Sequence, residues 1–497
     1  MAIRRVMRMV TMLALVSMLL GSCSPAARST PVPTPTARVF EPTECVGEVY
    51  GGRKMECGYL TVPEDRSKPD GRMLRLYVAI VPSTSENPLP DPVFYLEGGP
   101  GNRAHLVAGP LSFIMRDILK ERDIIIMDHR GTGLSEPALD CPEPDEADLA
   151  ANAAGKTNDE IIAARKQGWQ ICRDRLTGEG IDLSLYNSAN NAADVADLAQ
   201  TLGIEQYNLL GISYGTRLAL TILRDYPQGV RSAILDSVLS PNVDFFETVN
   251  TNAERSLNLL FERCAADARC SAKFPNLEAD FYALAEKLNQ EPIMATVNGG
   301  EYPVHGDDFI AITLNALYAS DVITDLPSKI AHADTWETQW LSDWLGYFYG
   351  AEMDLGVYLS TWCSEEVPFN SQKEKEQQDA TVNPAIVSAL DSGVDIFEAC
   401  EMWGIDPAGK RESEPVASDI PVLLLSGDYD PATPPELARL AAETLTNSKL
   451  YEFMGLSHGV LFFSDCAVQM ATQFVANPAE KIDASCMDEL KIEFNVY

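Results

Sequence analysis

Short hydrophobic runs alternate with longer helix-like stretches in two parts of the chain, about residues 90–240 and 415–497. The main runs are PVFYL at 92–96, RDIIIM at 122–127, YNLL at 207–210 and PVLLLS at 421–426. Short apolar runs bounded by turn residues are typical of buried strands, and the stretches between them repeat apolar residues at helical spacing. The pattern predicts an α/β fold with a mostly parallel central sheet.

Residues 241–412, between these two parts, are mostly helical in pattern. We predict that this segment is an inserted helical lid, flanked by two parts of one sheet domain at 45–240 and 413–497. It holds five of the six tryptophans, and Trp336, Trp340 and Trp344 recur on one helical face. Core packing is the favoured role of that stripe, with a pocket wall as the alternative.

A serine stands between two glycines in the run GISYG at 211–215. The run follows the strand-like stretch 207–210 and precedes a helical pattern at 216–223. A serine at this spacing lies on a sharp strand-to-helix turn that presents its hydroxyl at a helix N-terminus. The pattern predicts Ser213 as a nucleophile for acyl transfer, whereas a chance match would be an ordinary loop.

The partners that a serine nucleophile needs, a histidine base and an acid, follow in order along the chain. Of the five histidines, only His458 lies beyond the candidate acids, directly after a strand-like run at 450–453. Asp428 and Asp430 occupy the turn after the run at 421–426. Asp430 is the preferred acid, and Asp428 is interpreted as a turn-capping residue.

Backbone amides for an oxyanion hole are expected from two places. The amide of Tyr214, directly after the nucleophile, is the first. The glycine-rich turn after the run at 92–96 supplies the second, because glycines let the backbone approach a reacting carbonyl closely. Gly99 is preferred over Gly98, and a simple Gly-Pro turn without chemistry is the alternative.

Five motifs together resemble one known family. They are GGPG at 98–101, DHRGTGLS at 128–135, GISYGT at 211–216, GDYDPATP at 427–434 and SHG at 457–459. They look like the prolyl aminopeptidase and tripeptidyl aminopeptidase group of α/β-hydrolase serine peptidases, and the similarity runs from about Cys57 to Cys486. The resemblance implies a Ser213–Asp430–His458 triad with oxyanion amides from Gly99 and Tyr214, and no cofactor is expected. A metal site is not expected either, because the chain has no CxxC pair and no HExxH motif. Glu97 replaces the histidine usual in prolyl aminopeptidases, which favours the tripeptidyl branch.

An enzyme that trims N-termini must bind an ammonium group, and carboxylates are its natural partners. The run Cys363-Ser364-Glu365-Glu366 resembles the Cys-x-acid step of the tripeptidyl group, which maps the substrate-binding acid to Glu365. Glu366 is the neighbouring candidate. A solvated acidic loop beside a disulfide is the alternative.

The N-terminus has the features of an export signal. Three arginines precede an apolar run at 9–20 that ends at Leu-Gly-Ser-Cys, and this run is too short to span a bilayer. The ending resembles a bacterial lipobox, which predicts a signal peptide at 1–22, diacylation of Cys23 and a Pro-rich tether at 23–44. The protein is then extracytoplasmic and held to a membrane by lipid. Ordinary secretion is the alternative.

Ten cysteines remain beyond Cys23, an even number that favours disulfides in an oxidising compartment. Proximity along the chain pairs Cys45 with Cys57, Cys141 with Cys172, Cys264 with Cys270, Cys363 with Cys400, and Cys466 with Cys486. A formal charge of −35, from 73 acidic and 38 basic residues, argues against nucleic acid as a partner.

The sequence therefore predicts a lipid-anchored serine exopeptidase that releases short N-terminal pieces from peptides. A carboxylesterase or lipase is the alternative, because fold and triad do not determine the substrate. A catalytically silent binding protein is disfavoured, since all three triad positions are occupied by suitable residues.

Overall fold

The computed structural model describes residues 39–497 apart from residue 53 and the short stretches 298–299, 336–337, 351–352 and 392–394. The predicted signal peptide, Cys23, most of the tether and Trp336 lie outside the described residues.

The strands follow the apolar runs of the sequence. Their bounds are β1 Phe40–Thr43, β2 Glu56–Pro63, β3 Met73–Val81, β4 Val93–Leu96, β5 Ile124–Met127, β6 Tyr207–Ile212, β7 Val230–Asp236, β8 Ile293–Val297, β9 Gly300–Val304, β10 Val422–Gly427 and β11 Ser448–Phe453. Every residue of β4, β5, β6 and β10 is buried. Continuous apolar runs are what strands covered on both faces require.

Nine strands of the described chain form one sheet in the order β1-β2-β3-β5-β4-β6-β7-β10-β11. The pairs from β5–β4 to β10–β11 are parallel, whereas β1, β2 and β3 are antiparallel to their neighbours. The chain passes outward from β4 in both directions, to β5 on one side and β6 on the other. Loops at the carboxyl ends of strands at such a switch point are where α/β proteins bind ligands.

The helices connect and cover these strands. Their bounds are α1 Ala108–Ile114, α2 Glu143–Ala153, α3 Asn158–Gly178, α4 Ser188–Thr201, α5 Tyr214–Asp225, α6 Phe245–Ala266, α7 Ala268–Lys273, α8 Leu277–Gln290, α9 Gly306–Ala316, α10 Leu326–Ala331, α11 Thr338–Gly350, α12 Leu355–Glu365, α13 Gln372–Asp379, α14 Pro384–Leu390, α15 Ile396–Trp403, α16 Pro435–Ala442, α17 Val460–Phe463 and α18 Asp465–Ala476. Within the described chain, no helix is long and apolar enough to cross a membrane.

Two apolar layers cover the sheet. Helices α4, α5 and α16 pack on one face through residues such as Leu198, Leu218 and Ala438, and helices α1 and α18 pack on the other through Leu111 and Phe474. This three-layer arrangement confirms the α/β class and the mostly parallel sheet that the sequence predicted.

The segment between β7 and β10 contains helices α6 to α15 and the antiparallel hairpin of β8 and β9. Its apolar core, in which Phe281, Phe309 and Trp340 are almost completely buried, also takes in Tyr429 and Phe494 from the C-terminal part of the chain. Trp344 packs against the same core, so core packing is confirmed for these two tryptophans. We refer to residues 241–412 as the insert; its action as a lid stays a prediction.

One helical pair was not identified in the sequence. Helices α2 and α3 lie between β5 and α4, and the disulfide between Cys141 and Cys172 joins the start of this segment to α3. Apolar side chains of α3, among them Cys172 and Leu176, contribute to a core shared with α12 and α15 of the insert. Because this core combines segments far apart in sequence, no local pattern predicts it.

All five disulfides join the cysteines that are neighbours along the chain, as predicted. Disulfides persist outside the reducing cytoplasm, so they support the extracytoplasmic location.

The packing of α5 against the sheet depends on two glycines. An ideal Cβ on Gly215 would lie 2.0 Å from the carbonyl oxygen of Leu96, and one on Gly211 would lie 2.4 Å from that of Gly215. Both contacts are with backbone that cannot move aside easily. The absence of side chains therefore lets strand β6 and helix α5 meet at the sharp turn that holds Ser213.

Candidate active site

Ser213 occupies the turn between β6 and α5 in a strained backbone conformation. Its φ is 56° and its ψ is −124°, which places a non-glycine residue in a sparsely populated region. Its backbone N–H donates a hydrogen bond to the carbonyl oxygen of Asp236, 3.0 Å away. Helix α5 begins at the next residue, so the hydroxyl lies at a helix N-terminus, where a developing negative charge is stabilised.

The loops after β10 and β11 bring an acid and a histidine together. Nδ1 of His458 is 2.8 Å from Oδ2 of Asp430. Asp430 is completely buried and its other oxygen accepts hydrogen bonds from the amides of Ala432 and Thr433. A carboxylate fixed in this way holds the imidazole in one orientation with Nδ1 protonated, which leaves Nε2 free to accept a proton.

The electrostatics of this pair suit a general base. Burial by itself would raise the pKa of Asp430, but the charge of His458 and the hydrogen bonds from His458 and Thr433 lower it to about 2. Burial opposes protonation of His458, yet the charge of Asp430 and their hydrogen bond raise its pKa above the usual value. The acid is therefore ionised at neutral pH and stabilises a protonated histidine.

Asp428, the competing acid, has other partners. Its carboxylate accepts a hydrogen bond from the Arg263 guanidinium at 2.5 Å and another from the amide of Gly455 at 2.9 Å. These contacts tie the loop after β10 to helix α6 and to the loop after β11. Asp428 therefore fixes the conformation of this loop.

The glycine-rich turn after β4 passes directly beside the nucleophile. An ideal Cβ on Gly98 would lie 3.1 Å from Cβ of Ser213. The amide of Gly98 donates to the side chain of Glu97 at 2.7 Å, so that N–H is already engaged. This favours Gly99 over Gly98 as the second oxyanion donor beside Tyr214, and that role stays a prediction.

Glu365 and Glu366 lie at the end of α12, both only 1% exposed. Oε2 of Glu365 accepts a hydrogen bond from the Ser188 hydroxyl at 2.6 Å and lies 3.4 Å from Nε of Arg217. Oε2 of Glu366 is 2.7 Å from Nη1 of the same arginine. Burial raises the pKa of both carboxyls, and Arg217 opposes that rise.

These contacts bear on the predicted ammonium-binding role. They give both acids internal partners, so a substrate ammonium would have to compete with Arg217 for them. The predicted solvated loop, the alternative for this pair, is wrong because both side chains are buried. No contact tests substrate binding, which stays a prediction.

Two residues that support the acid were missed in the sequence. The Thr433 hydroxyl donates to Oδ2 of Asp430 at 2.8 Å. Arg255, on α6, donates to the carbonyl oxygens of Asp428 and Asp430 at 2.7 and 2.6 Å. Thr433 stands three residues after Asp430 in the same motif and could have been found there. Arg255 is 175 positions away, and only the folded chain brings it to the site.

The insert also reaches the histidine. The amide of Ser457 donates to the Ser320 hydroxyl at 2.8 Å, just before His458. The Tyr318 ring lies edge-on to the His458 ring with centroids 5.2 Å apart, and 37% of Tyr318 is exposed. Tyr318 is therefore a partly exposed aromatic side chain in contact with the base.

The Cys141–Cys172 disulfide falls within a candidate group of metal ligands among the residues that the structure describes. One group of potential ligands, Cys141, Glu143 and Cys172, lies close together there. Its two cysteines are joined in a disulfide, so neither can supply the thiolate that would bind a metal.

The geometry predicts unequal roles for the two aspartates. Asp430→Asn should lower kcat by about four orders of magnitude, because an amide at this place favours the wrong tautomer of His458. Asp428→Asn should lower the thermal midpoint through the loss of the Arg263 pair and change kcat less than tenfold. Steady-state kinetics on an activated acyl ester, with thermal unfolding of both variants, measure this. Equal losses of kcat would contradict the assignment.

Comparison with known proteins agrees with this architecture. Residues 91–465 match the family model described as alpha/beta hydrolase fold. Serine protease Hip1 of Mycobacterium tuberculosis is 26% identical over 444 residues, which cover 83% of each chain. Tripeptidyl aminopeptidase of Streptomyces coelicolor is 30% identical over 207 residues, 40% of this chain and 38% of the relative. Carboxylesterase B of Mycobacterium tuberculosis is 26% identical over 481 residues, 88% of each chain. The chain belongs to the alpha/beta hydrolase family and is a serine hydrolase.

Proposed function

We propose that the protein is a serine exopeptidase that removes short N-terminal pieces from peptides, in the manner of a tripeptidyl or prolyl aminopeptidase. The observation that carries the catalytic part is the hydrogen bond between Asp430 and His458. These two residues lie on the loops that follow β10 and β11, at the same end of the sheet as Ser213. The same three residue types in this order serve acyl transfer on this fold.

The proposed reaction proceeds through an acyl-enzyme. Oγ of Ser213 attacks the peptide carbonyl while Nε2 of His458 takes its proton, and Asp430 stabilises the imidazolium. The amides of Gly99 and Tyr214 hold the oxyanion. His458 then gives the proton to the leaving amine, and the C–N bond breaks. His458 then deprotonates a water molecule that attacks the ester carbonyl, and it returns this proton to Oγ of Ser213 as the C–O bond breaks and the N-terminal piece leaves as a carboxylate.

The peptide substrate is proposed from the relatives. Two of them are named as a serine protease and a tripeptidyl aminopeptidase. A peptide with a free N-terminus is the expected substrate. Glu365 and Glu366, the candidate acids for its ammonium group, already pair with Arg217. Glu97 is also engaged, with Gly98 and the Tyr95 hydroxyl.

A carboxylesterase is the second candidate. A relative named carboxylesterase B matches over a larger share of this chain than the two peptidases. A triad of this kind can form an acyl-enzyme from an ester as well as from an amide, so the triad does not separate the two functions.

We also propose that Cys23 carries a lipid anchor and that the tether holds the enzyme to a bacterial membrane outside the cytoplasm, at the cell surface or in the periplasm. The Leu-Gly-Ser-Cys ending of the apolar run supports this, together with the extracytoplasmic location. The net charge of −35 makes nucleic acid an unfavourable partner.

The substrate class is tested with matched compounds. The wild type should hydrolyse tripeptide anilides with a free N-terminus at a higher kcat/KM than their N-acetylated forms or simple acyl esters. Ser213→Ala should bring all these activities to background while the protein stays folded, because the covalent route is lost. A preference for acyl esters over every anilide would favour the carboxylesterase.

The role of Glu365 is tested by Glu365→Gln, with Glu376→Gln on exposed α13 as control. Because the acid is internal, we expect the free energy of unfolding to fall by roughly 1–3 kcal/mol. We expect kcat/KM on free and acetylated peptides to change by the same factor. A selective loss of tens to hundreds-fold on free peptides would instead assign the ammonium to Glu365.

The anchor is tested by Cys23→Ser. The wild type should partition into the detergent phase of Triton X-114, because two acyl chains bind stably to a membrane. The variant should stay in the aqueous phase or accumulate as an uncleaved precursor. Identical partition of the two proteins would contradict the anchor.

A further inference from the structure

Asp236 and Ser237 form a buried polar pair at the end of β7, between the nucleophile strand β6 and the acid strand β10. Both residues are completely buried. A carboxylate without any contact with water is expensive to bury unless its oxygens are well paired. The hydrogen-bond partners of Asp236 therefore indicate its role.

The backbone of this pair joins the strands that carry the nucleophile and the acid. The carbonyl oxygen of Asp236 accepts the hydrogen bond from the amide of Ser213, 3.0 Å away. The amide of Ser237 donates to the carbonyl oxygen of Leu425, on β10, at 2.9 Å. The position of Ser213 is thus fixed through Asp236.

The side chains of the pair bind the loop that carries the histidine. The Ser237 hydroxyl oxygen accepts from the amide of Gly459 at 2.8 Å. Oδ1 and Oδ2 of Asp236 accept from the amides of Val460 and Leu461 at 3.0 and 2.8 Å. These are the three amides that directly follow His458.

The backbone of Ser237 is strained in the same way as that of Ser213. Among the described residues, these two serines are the non-glycine residues with positive φ, at 58° and 56°. Such a conformation persists only where surrounding contacts hold it, and it is found preferentially at functional sites.

We propose that Asp236 and Ser237 are positioning residues that set the distance and angle between Ser213 and His458. One dipeptide holds the nucleophile through its backbone and the histidine loop through its side chains. A shift of this dipeptide therefore moves both reacting groups relative to each other. The inference rests on the proposed triad.

Asp236 also acts on the histidine through its charge. The titratable groups facing it are His458, Asp430 and the Tyr95 hydroxyl. Burial raises the pKa of Asp236 to about 7, although the amides of Leu461 and Val460 and the charge of His458 lower it. An ionised Asp236 raises the pKa of His458 in turn.

A purely structural role is the alternative, in which Asp236 only caps the short helix α17. The chain offers a matched control for it. Asp267 caps α7 by accepting from the amides of Arg269 and Cys270, at 2.9 and 2.7 Å. Asp267→Asn removes the charge of a comparable cap, as Asp236→Asn does at α17, without touching the triad loops.

The experiment compares Asp236→Asn, Ser237→Ala, Ser237→Gly and Asp267→Asn in the full-length protein. The readouts are the second-order rate of Ser213 labelling by a fluorophosphonate, kcat and KM on an acyl ester, and the thermal midpoint. We expect the first three variants to lose roughly ten- to a hundredfold in labelling rate and kcat, with KM within about twofold, because small misplacements of reacting groups are costly. Asp267→Asn should lower the thermal midpoint only.

Ser237→Gly separates the hydroxyl from the backbone strain. Glycine suits the positive φ, so this variant should be as stable as the wild type and still be slow. Folded Ser237 variants that are labelled at the wild-type rate would overturn the proposal. If Asp236→Asn does not fold, the Ser237 variants alone test the proposal. A wild type that is not labelled at Ser213 would instead refute the proposed function.

Discussion

The parallel register of β6, β7 and β10 is the constraint on which the site depends. Ile212 lies beside Asp236, and Asp236 lies beside Leu425, so β6 and β7 end at one level and β10 continues two residues further, to Gly427. Ser213, Ser237 and the loop of Asp430 therefore leave the sheet side by side. A slip of one residue in either pairing would turn these side chains to the other face and separate the nucleophile from its partners.

Hydrogen bonds from the insert fix the loops that follow β10 and β4. Arg255 and Ser256, neighbours on α6, donate to the successive carbonyls of residues 428–430. Asp354, at the start of α12, donates through its amide to the carbonyl of Gly101, beside the predicted oxyanion donor. Loops fixed from a second layer can keep reacting groups aligned without substrate, which lowers the cost of reaching the transition state.

The sequence predicted those parts of the fold that local patterns encode. Apolar runs identified the strands, and the glycines around Ser213 identified the sharp turn, because both have a physical reason within a few residues. The insert contacts of Arg255 and the shared core of α3, α12 and α15 depend on segments far apart in the chain. Glu365 shows best what the sequence alone cannot predict. A glutamate suits an ammonium ligand, but only the fold reveals that Arg217 lies beside this one.

The two carboxylates that face His458 have opposite effects on stability. The folded pKa of Asp430, about 2, is below its unfolded value, so its contribution is present at neutral pH and is lost as pH falls through about 4 to 2. The folded pKa of Asp236, about 7, is above its unfolded value, so stability is lost as pH rises from about 4 to 7. At neutral pH that loss is on the order of 4 kcal/mol. A buried acid that lowers stability at neutral pH is better explained by its contacts with Ser213 and the His458 loop than by a contribution to the stability of the fold.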